Sequence, residues 1–217
     1  MKIDLYDKKL EEVLDIDQYC KDNNIDAEKV KEINLTGGNN NLTEIKGLNK
    51  LVNLECLYCG HNQLSELDVS NLVNLEILYC YHNELTEIKG LDKLINLREL
   101  HCNNNQLTEI KGLNKLVNLQ LLFCQNNKLK ELNVNNLVNL EWLYCFNNKL
   151  TELKGLDKLV NLKSLWCSDN ELTELKGLDK LVNLERLHCN RSQLSEIKGL
   201  DKLVNLKVLN GEKYKKC

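Results

Sequence analysis

Residues 54–64 read LECLYCGHNQL, and the same frame returns down the chain. It recurs as LEILYCYHNEL from Leu75, LRELHCNNNQL from Leu97 and LQLLFCQNNKL from Leu119. LEWLYCFNNKL from Leu140, LKSLWCSDNEL from Leu162 and LERLHCNRSQL from Leu184 follow, and LKVLNGEKY from Leu206 ends the series. The spacings are 21, 22, 22, 21, 22, 22 and 22 residues. A degenerate copy, INLTGGNNNL, covers residues 33–42. Successive side chains of an extended segment point to opposite faces. In each copy the second Leu and the Cys therefore share one face, and the residue between them points the other way. One unit of about 22 residues cannot bury its own Leu face, but stacked units can, so this period predicts a solenoid.

The motif L-x-x-L-x-C-x-x-N-x-L, followed by x-E-(I/L)-K-G-L-x-K-L-V-N, resembles the leucine-rich repeat family over residues 30–211. The 22-residue units are similar to the bacterial internalin and phosphatase-regulator type. The 21-residue units LSELDVSNLVN and LKELNVNNLVN replace the K-G-L-x-K segment and resemble a short Cys-containing bacterial variant. The resemblance implies an α/β repeat: a right-handed, curved solenoid with a parallel β-sheet on the concave face and short 3-10 or irregular turns on the convex face. It brings no catalytic residues, because the family shares no chemistry.

Several rows follow from the period. Asn62, Asn83, Asn105, Asn127, Asn148 and Asn170 each stand three residues after a Cys and should bond the backbone of the turns. Ser192 breaks that row, so the last turns should be less regular. Gly47, Gly90, Gly112, Gly155, Gly177 and Gly199 mark the return turn. About nine rungs at roughly 4.8 Å make an arc of about 40 Å. Residues 1–29 do not repeat. Leu10, Val13, Leu14, Ile16 and Tyr19 have mixed helical spacing, and a broken end at Asp22-Asn23-Asn24 predicts a small helical N-terminal cap. Residues 212–217 form a short polar tail.

Seven of the ten cysteines, from Cys59 to Cys189, hold one repeat position and should form an inward ladder of small apolar residues. A disulfide reading would leave one of the seven unpaired, and a linear ladder does not offer tetrahedral metal geometry. Reduced thiols, and Met1 if it is the natural start, point to the cytoplasm. Cys56 faces outward, Cys20 belongs to the cap, and Cys217 is terminal. The abundance of Asn, Lys and Ile fits a bacterial source.

The outward row between the inward Leu and Cys reads Tyr58, Tyr79, His101, Phe123, Tyr144, Trp166, His188. The row two residues earlier holds Cys56, Ile77, Glu99, Leu121, Trp142, Ser164, Arg186 and Val208, and the row two later includes Tyr81 and Phe146. Eight of the eleven Phe, Trp and Tyr lie in these rows. Two readings apply. An aromatic ladder would stabilise the sheet by about 0.2–1 kcal/mol per cross-strand contact. A contiguous apolar patch rich in Trp and Tyr would instead mark an interaction site. The second reading makes Tyr58, Tyr79, Tyr81, His101, Leu121, Phe123, Trp142, Tyr144, Phe146, Trp166, Arg186 and His188 a partner-binding surface for a protein or peptide. Alternatives are self-association as a homodimer, or a glycan or single-stranded nucleic acid stacked on the same ridge.

Charge narrows the classes. The net charge is −3 and the pI about 5.9, which argues against nucleic acid. No apolar run is long enough to span a bilayer. Along the concave face, Glu55, Glu76 and Glu99 give way to Lys163, Arg186, Arg191, Lys207 and Lys213. On the flank, a Glu row from Glu44 to Glu196 runs beside a Lys row from Lys46 to Lys198, and should be a self-compensating solvated surface. There is no phosphate-cradling glycine loop, nucleophile–base motif or metal-spaced His/Cys set, so no enzyme, metal or cofactor is expected. His61 and His82, neighbours on adjacent rungs, read as rim residues.

Overall fold

A computed structural model describes residues 1–6, 8, 10, 12–37 and 41–214. The outward/inward alternation becomes one long sheet. Its strands, in chain order, are β1 (Lys2–Asp4), β2 (Glu32–Asn34), β3 (Cys56–Tyr58), β4 (Ile77–Tyr79), β5 (Glu99–His101) and β6 (Leu121–Phe123). β7 (Trp142–Tyr144), β8 (Ser164–Trp166), β9 (Arg186–His188), β10 (Val208–Leu209) and β11 (Glu212–Lys213) complete it. Spatial order equals chain order, and every pair is parallel except β10 with β11, which closes the far end as an antiparallel hairpin. This is the expected solenoid sheet. From β3 to β10 its register places Leu opposite Leu, as in Leu57↔Leu78 and Leu122↔Leu143.

Each strand is only about three residues long because the chain must turn back to bury the rest of its Leu set. Leu and Cys of every rung meet inside one continuous core. The turn after the strand is held by the Asn row. Asn105 Nδ2 donates to the carbonyls of Cys80 (3.0 Å) and Cys102 (3.1 Å), and its Oδ1 accepts from Leu85 N–H (2.9 Å). The same bonds recur at Asn83, Asn127, Asn148 and Asn170, and at Asn62 with the Leu35 carbonyl in place of a preceding Cys. A side chain thus replaces a ladder partner for buried backbone groups that would otherwise be unpaired.

The return side has two forms. In the 22-residue units a glycine at positive φ opens a 3-10 turn, as at Gly112 (φ 82°) before Leu113–Lys115. In the 21-residue units a short Asx turn does this work: Asp68 Oδ1 accepts from Ser70 N–H (2.9 Å), and Asn133 Oδ1 from Asn135 N–H (3.1 Å). Val69 and Val134, both fully buried, fill the core there.

Residues 1–29 add a rung as well as a helix. β1 joins the main sheet, Val13–Asp15 pairs with Glu44–Lys46, and α1 spans Ile16–Asp22 alone. Asp15 caps α1 by accepting from Gln18 N–H (3.0 Å), and Ile16 and Cys20, four residues apart, form its buried face. At the other end, Ser192 cannot make the Asn bonds. Its hydroxyl has no partner, and Leu194, Ile197 and Leu200 are only partly buried. Of the tail, residues 212–214 are described, and Cys217 lies outside the described residues.

Candidate partner-binding surface

The outward residues of β3–β9 form a continuous pile of rings. Tyr58 meets Tyr79 edge-on at 5.1 Å. Tyr79–His101 (4.0 Å), His101–Phe123 (4.3 Å), Phe123–Tyr144 (4.5 Å), Tyr144–Trp166 (4.9 Å) and Trp166–His188 (4.2 Å) continue it with near-parallel or tilted planes. A parallel sheet spaces its strands by about 4.8 Å, close to ring thickness plus contact, so aromatics in register stack without rotamer strain. All seven rings are half-buried, the five inner ones covered on two sides by neighbouring rings and the end ones, Tyr58 and His188, on one. Burial drives the His101 imidazole down to about 4, so it sits neutral in the pile. Tyr79 donates its hydroxyl to Glu99, and burial raises its phenol well above the ordinary value.

The flanking rows are in place. Ile77, Leu121 and Trp142 line one side, half-buried, with Lys163 Nζ 5.2 Å from the Trp142 ring centre. Tyr81 and Phe146 line the other. Tyr81 leans back over Gly60, where a Cβ would come within 2.9 Å of the ring, so a side chain there would push the ring aside. Phe146 reaches Trp166 at 6.1 Å. The fold thus brings all twelve residues expected on this surface to one face. Among them only Arg186 is exposed; the apolar members are partly shielded by one another.

The most exposed apolar line lies elsewhere, and the sequence reading did not assign it a role. Val52, Val73, Ile95, Val117, Val138, Val160, Val182 and Val204 run along the convex side, from 40% exposed at Val52 to 68% at Val204. The following Asn of each unit ties the row together, as where Asn118 Nδ2 donates to Ile95 O (2.9 Å) and Asn139 Nδ2 to Val117 O (2.9 Å). The Val-Asn pair in every copy of K-L-V-N was its visible signal.

His61 and His82 are exposed and stack on each other at 4.6 Å with planes 8° apart. Both take positive φ, in a row continued by Asn104, Asn126 and Asn147. Among the described residues no group of three or more His, Cys, Asp or Glu is placed to hold a metal ion. The ladder cysteines are free and buried. Desolvation pushes the thiols of Cys59 and Cys102 up to about 12 and that of Cys189 up to about 11. The flank rows pair as anticipated, for instance Lys89–Glu66 (2.6 Å), Lys111–Glu87 (3.2 Å) and Lys154–Glu131 (3.2 Å), all solvent-accessible.

A parallel sheet of Leu-centred rungs with an Asn ladder defines a repeat solenoid. The family model for Leucine Rich repeats (2 copies) matches residues 28–72, 52–93, 73–114, 95–137 and 138–180. The chain belongs to the leucine-rich repeat family. Among solved structures it is similar to InlJ of Listeria monocytogenes, whose functional domain includes a cysteine ladder: 32% identity, TM-score 0.77, covering 83% of this chain and 39% of that one. Internalin C2 of Listeria monocytogenes is 29% identical with TM-score 0.73, over 78% of this chain and 76% of that one. YopM of Yersinia pestis, a leucine-rich effector protein, is 29% identical with TM-score 0.73, over 84% of this chain and 49% of that one. This chain therefore spans well under two thirds of the InlJ and YopM chains. Comparison by sequence with curated proteins gives no match. Leucine-rich repeat proteins generally mediate protein–protein interaction. Among the described residues no helix is long and apolar enough to cross a membrane.

Proposed function

We propose that this chain is a non-enzymatic protein-interaction module that binds a protein or peptide partner on its concave face. The observation that carries the reading is the pairing of a rigid ring pile with an open apolar row beside it. Ile77, Leu121 and Trp142 lie outside the pile and remain partly open to a partner. Pre-stacked rings lose little freedom on docking, which lowers the entropic cost of binding. Tyr and Trp are also the residues most enriched among interface hot spots. Residues 1–29 act as the cap that shields the first repeat, and the free ladder thiols suit a reducing compartment such as the cytoplasm.

Self-association is the second reading, favoured by the exposed Val and Ile row on the convex side, which offers a straight apolar edge to a second copy.

The test is a paired capture of partners from cell lysate. One bait is the native chain; the other carries Trp142→Ala and Leu121→Ala, outside the pile, with its fold checked by circular dichroism. A protein retained by the first bait and lost by the second supports concave binding and names the partner. Equal retention on both baits, or concentration-dependent mass in sedimentation that disappears when Val117 and Val138 are made Ser, moves the assignment to self-association or another face.

A further inference from the structure

The register carries the concave row beyond the repeats. Trp142, Ser164, Arg186, Val208 and Lys213 lie directly opposite one another on β7 to β11. Residues paired in this way share a face, so the closing hairpin brings Lys213 into the row of Arg186, about 10 Å away across two strand spacings. Arg186 and Lys213 are exposed, and neither has an ion pair among the described residues. Of the nearby carboxylates, Glu141 is engaged by Lys163 (2.5 Å), Glu185 by Lys207 (2.9 Å) and Asp169 by Arg191 (3.6 Å), while Glu212, next to Lys213, pairs opposite Leu209 and so alternates to the other face of β11.

Two buried donors lie on β8 beside this row. Ser164 stands between Trp142 and Arg186 and is 1% exposed, yet its hydroxyl has no hydrogen-bond partner. The indole N–H of Trp166, on the same strand, is also without one. A buried polar group left unpaired is costly, so these two positions are the least satisfied on β8. Two cations without an ion pair among the described residues therefore lie in one row at the C-terminal end of the face, with two buried, unpaired donors on the neighbouring strand β8. The row toward the N-terminal side is different: Leu121 is apolar, and beyond it Glu99 carries a carboxylate.

We infer that the C-terminal third of the concave face docks an acidic peptide segment, with Asp or Glu side chains at Arg186 and Lys213 and an apolar neighbour on Trp142. This rests on the concave-binding reading above. Glu99 sets the direction, since it repels an acidic segment laid the other way. Arginine is suited to hold a carboxylate through two parallel N–H bonds, and Lys213 adds a second point charge.

Random twelve-residue peptides displayed on phage are selected on the native full chain. Recovered peptides are then titrated against native protein, Arg186→Glu, Lys213→Glu and Trp142→Ala. The two tryptophans of the chain both lie in this region, so intrinsic fluorescence reports binding. The expected result is an excess of Asp and Glu over the starting library, with affinity falling at least about tenfold in Arg186→Glu, the equivalent of about 1.4 kcal/mol, and falling also in Trp142→Ala. Peptides that need Trp142 but show no acidic excess, or that bind Arg186→Glu equally well, overturn the acidic assignment and leave concave binding standing. If no peptide is recovered, or if the peptides bind all variants alike, concave recognition itself fails and this inference fails with it.

Discussion

The smallest working unit of this molecule is a buried side chain bonded to backbone. Asn105 satisfies groups on two neighbouring rungs at once. Asn105→Ala should lower unfolding free energy by about 1–3 kcal/mol, the cost of leaving buried backbone groups unpaired, in urea titration. Asn118→Ala, on the exposed convex side, should cost under about 1 kcal/mol. Equal losses would mean that the inner row is ordinary packing. The ladder thiols make a second prediction. Burial raises Cys59 and Cys102 to about 12 from an ordinary 9.0. The unfolded chain releases these protons above pH 9 while the folded chain keeps them, so their contribution is whole below pH 9 and is lost as pH rises from 9 toward 12. The slope reaches about 1.4 kcal/mol per pH unit for each titrating thiol. Stability measured at pH 8 and pH 10 should therefore differ less after Cys59→Ala and Cys102→Ala; an unchanged difference would remove the thiols as the cause. A thiol reagent at pH 8 should modify Cys56, which is partly open, well before the ladder.

At the scale of the turn, the chain has two ways to reverse and the sequence distinguishes them. Gly112 holds φ at 82°, and a Cβ there would lie 2.5 Å from Asp92 N. Gly112→Ala should cost about 1–3 kcal/mol for the strained backbone alone, with the contact adding to it. Differential scanning calorimetry would show the fall, and a melting temperature within about 1 °C of native would refute it. The strands, the Asn row and the glycine turns were legible before any coordinates because each needs one residue type at one spacing. The terminal segment was less so. Val13 and Leu14 read as helical, but they form a strand paired with Glu44–Lys46, and the helix begins only at Ile16. A three-residue strand has too few positions to show its period, so only the neighbouring rung decides it. On the concave face the rows were legible by position, but their exposure was not. Shielding depends on rings of adjacent rungs touching, and Arg186 and Lys213 share a row only through a hairpin that no repeat foretells.

The whole molecule is a line of rungs, each touching the next, so its stability is a sum of unit and interface terms rather than the property of one globular core. The ring pile adds to the interfaces of β3–β9, and the Asn row to nearly all of them, which couples neighbours closely. Near Ser192 that coupling thins: the hydroxyl is unpaired and Leu194, Ile197 and Leu200 are half-open. A defect at the centre should therefore divide the line. Leu122 is fully buried on β6, and Leu122→Ala should remove about 2–5 kcal/mol from one rung and its two interfaces. Both tryptophans lie on the C-terminal side of that rung, so their fluorescence reports one half while far-ultraviolet circular dichroism reports all of it. In the native chain the two signals should unfold together. In Leu122→Ala the fluorescence transition should fall at lower urea than the dichroism midpoint, because the C-terminal part has lost its support from the better-bonded N-terminal rungs. If the two curves move by the same amount and still coincide, the rungs unfold as one unit, and the coupling through rings and asparagines is strong enough to carry a broken rung.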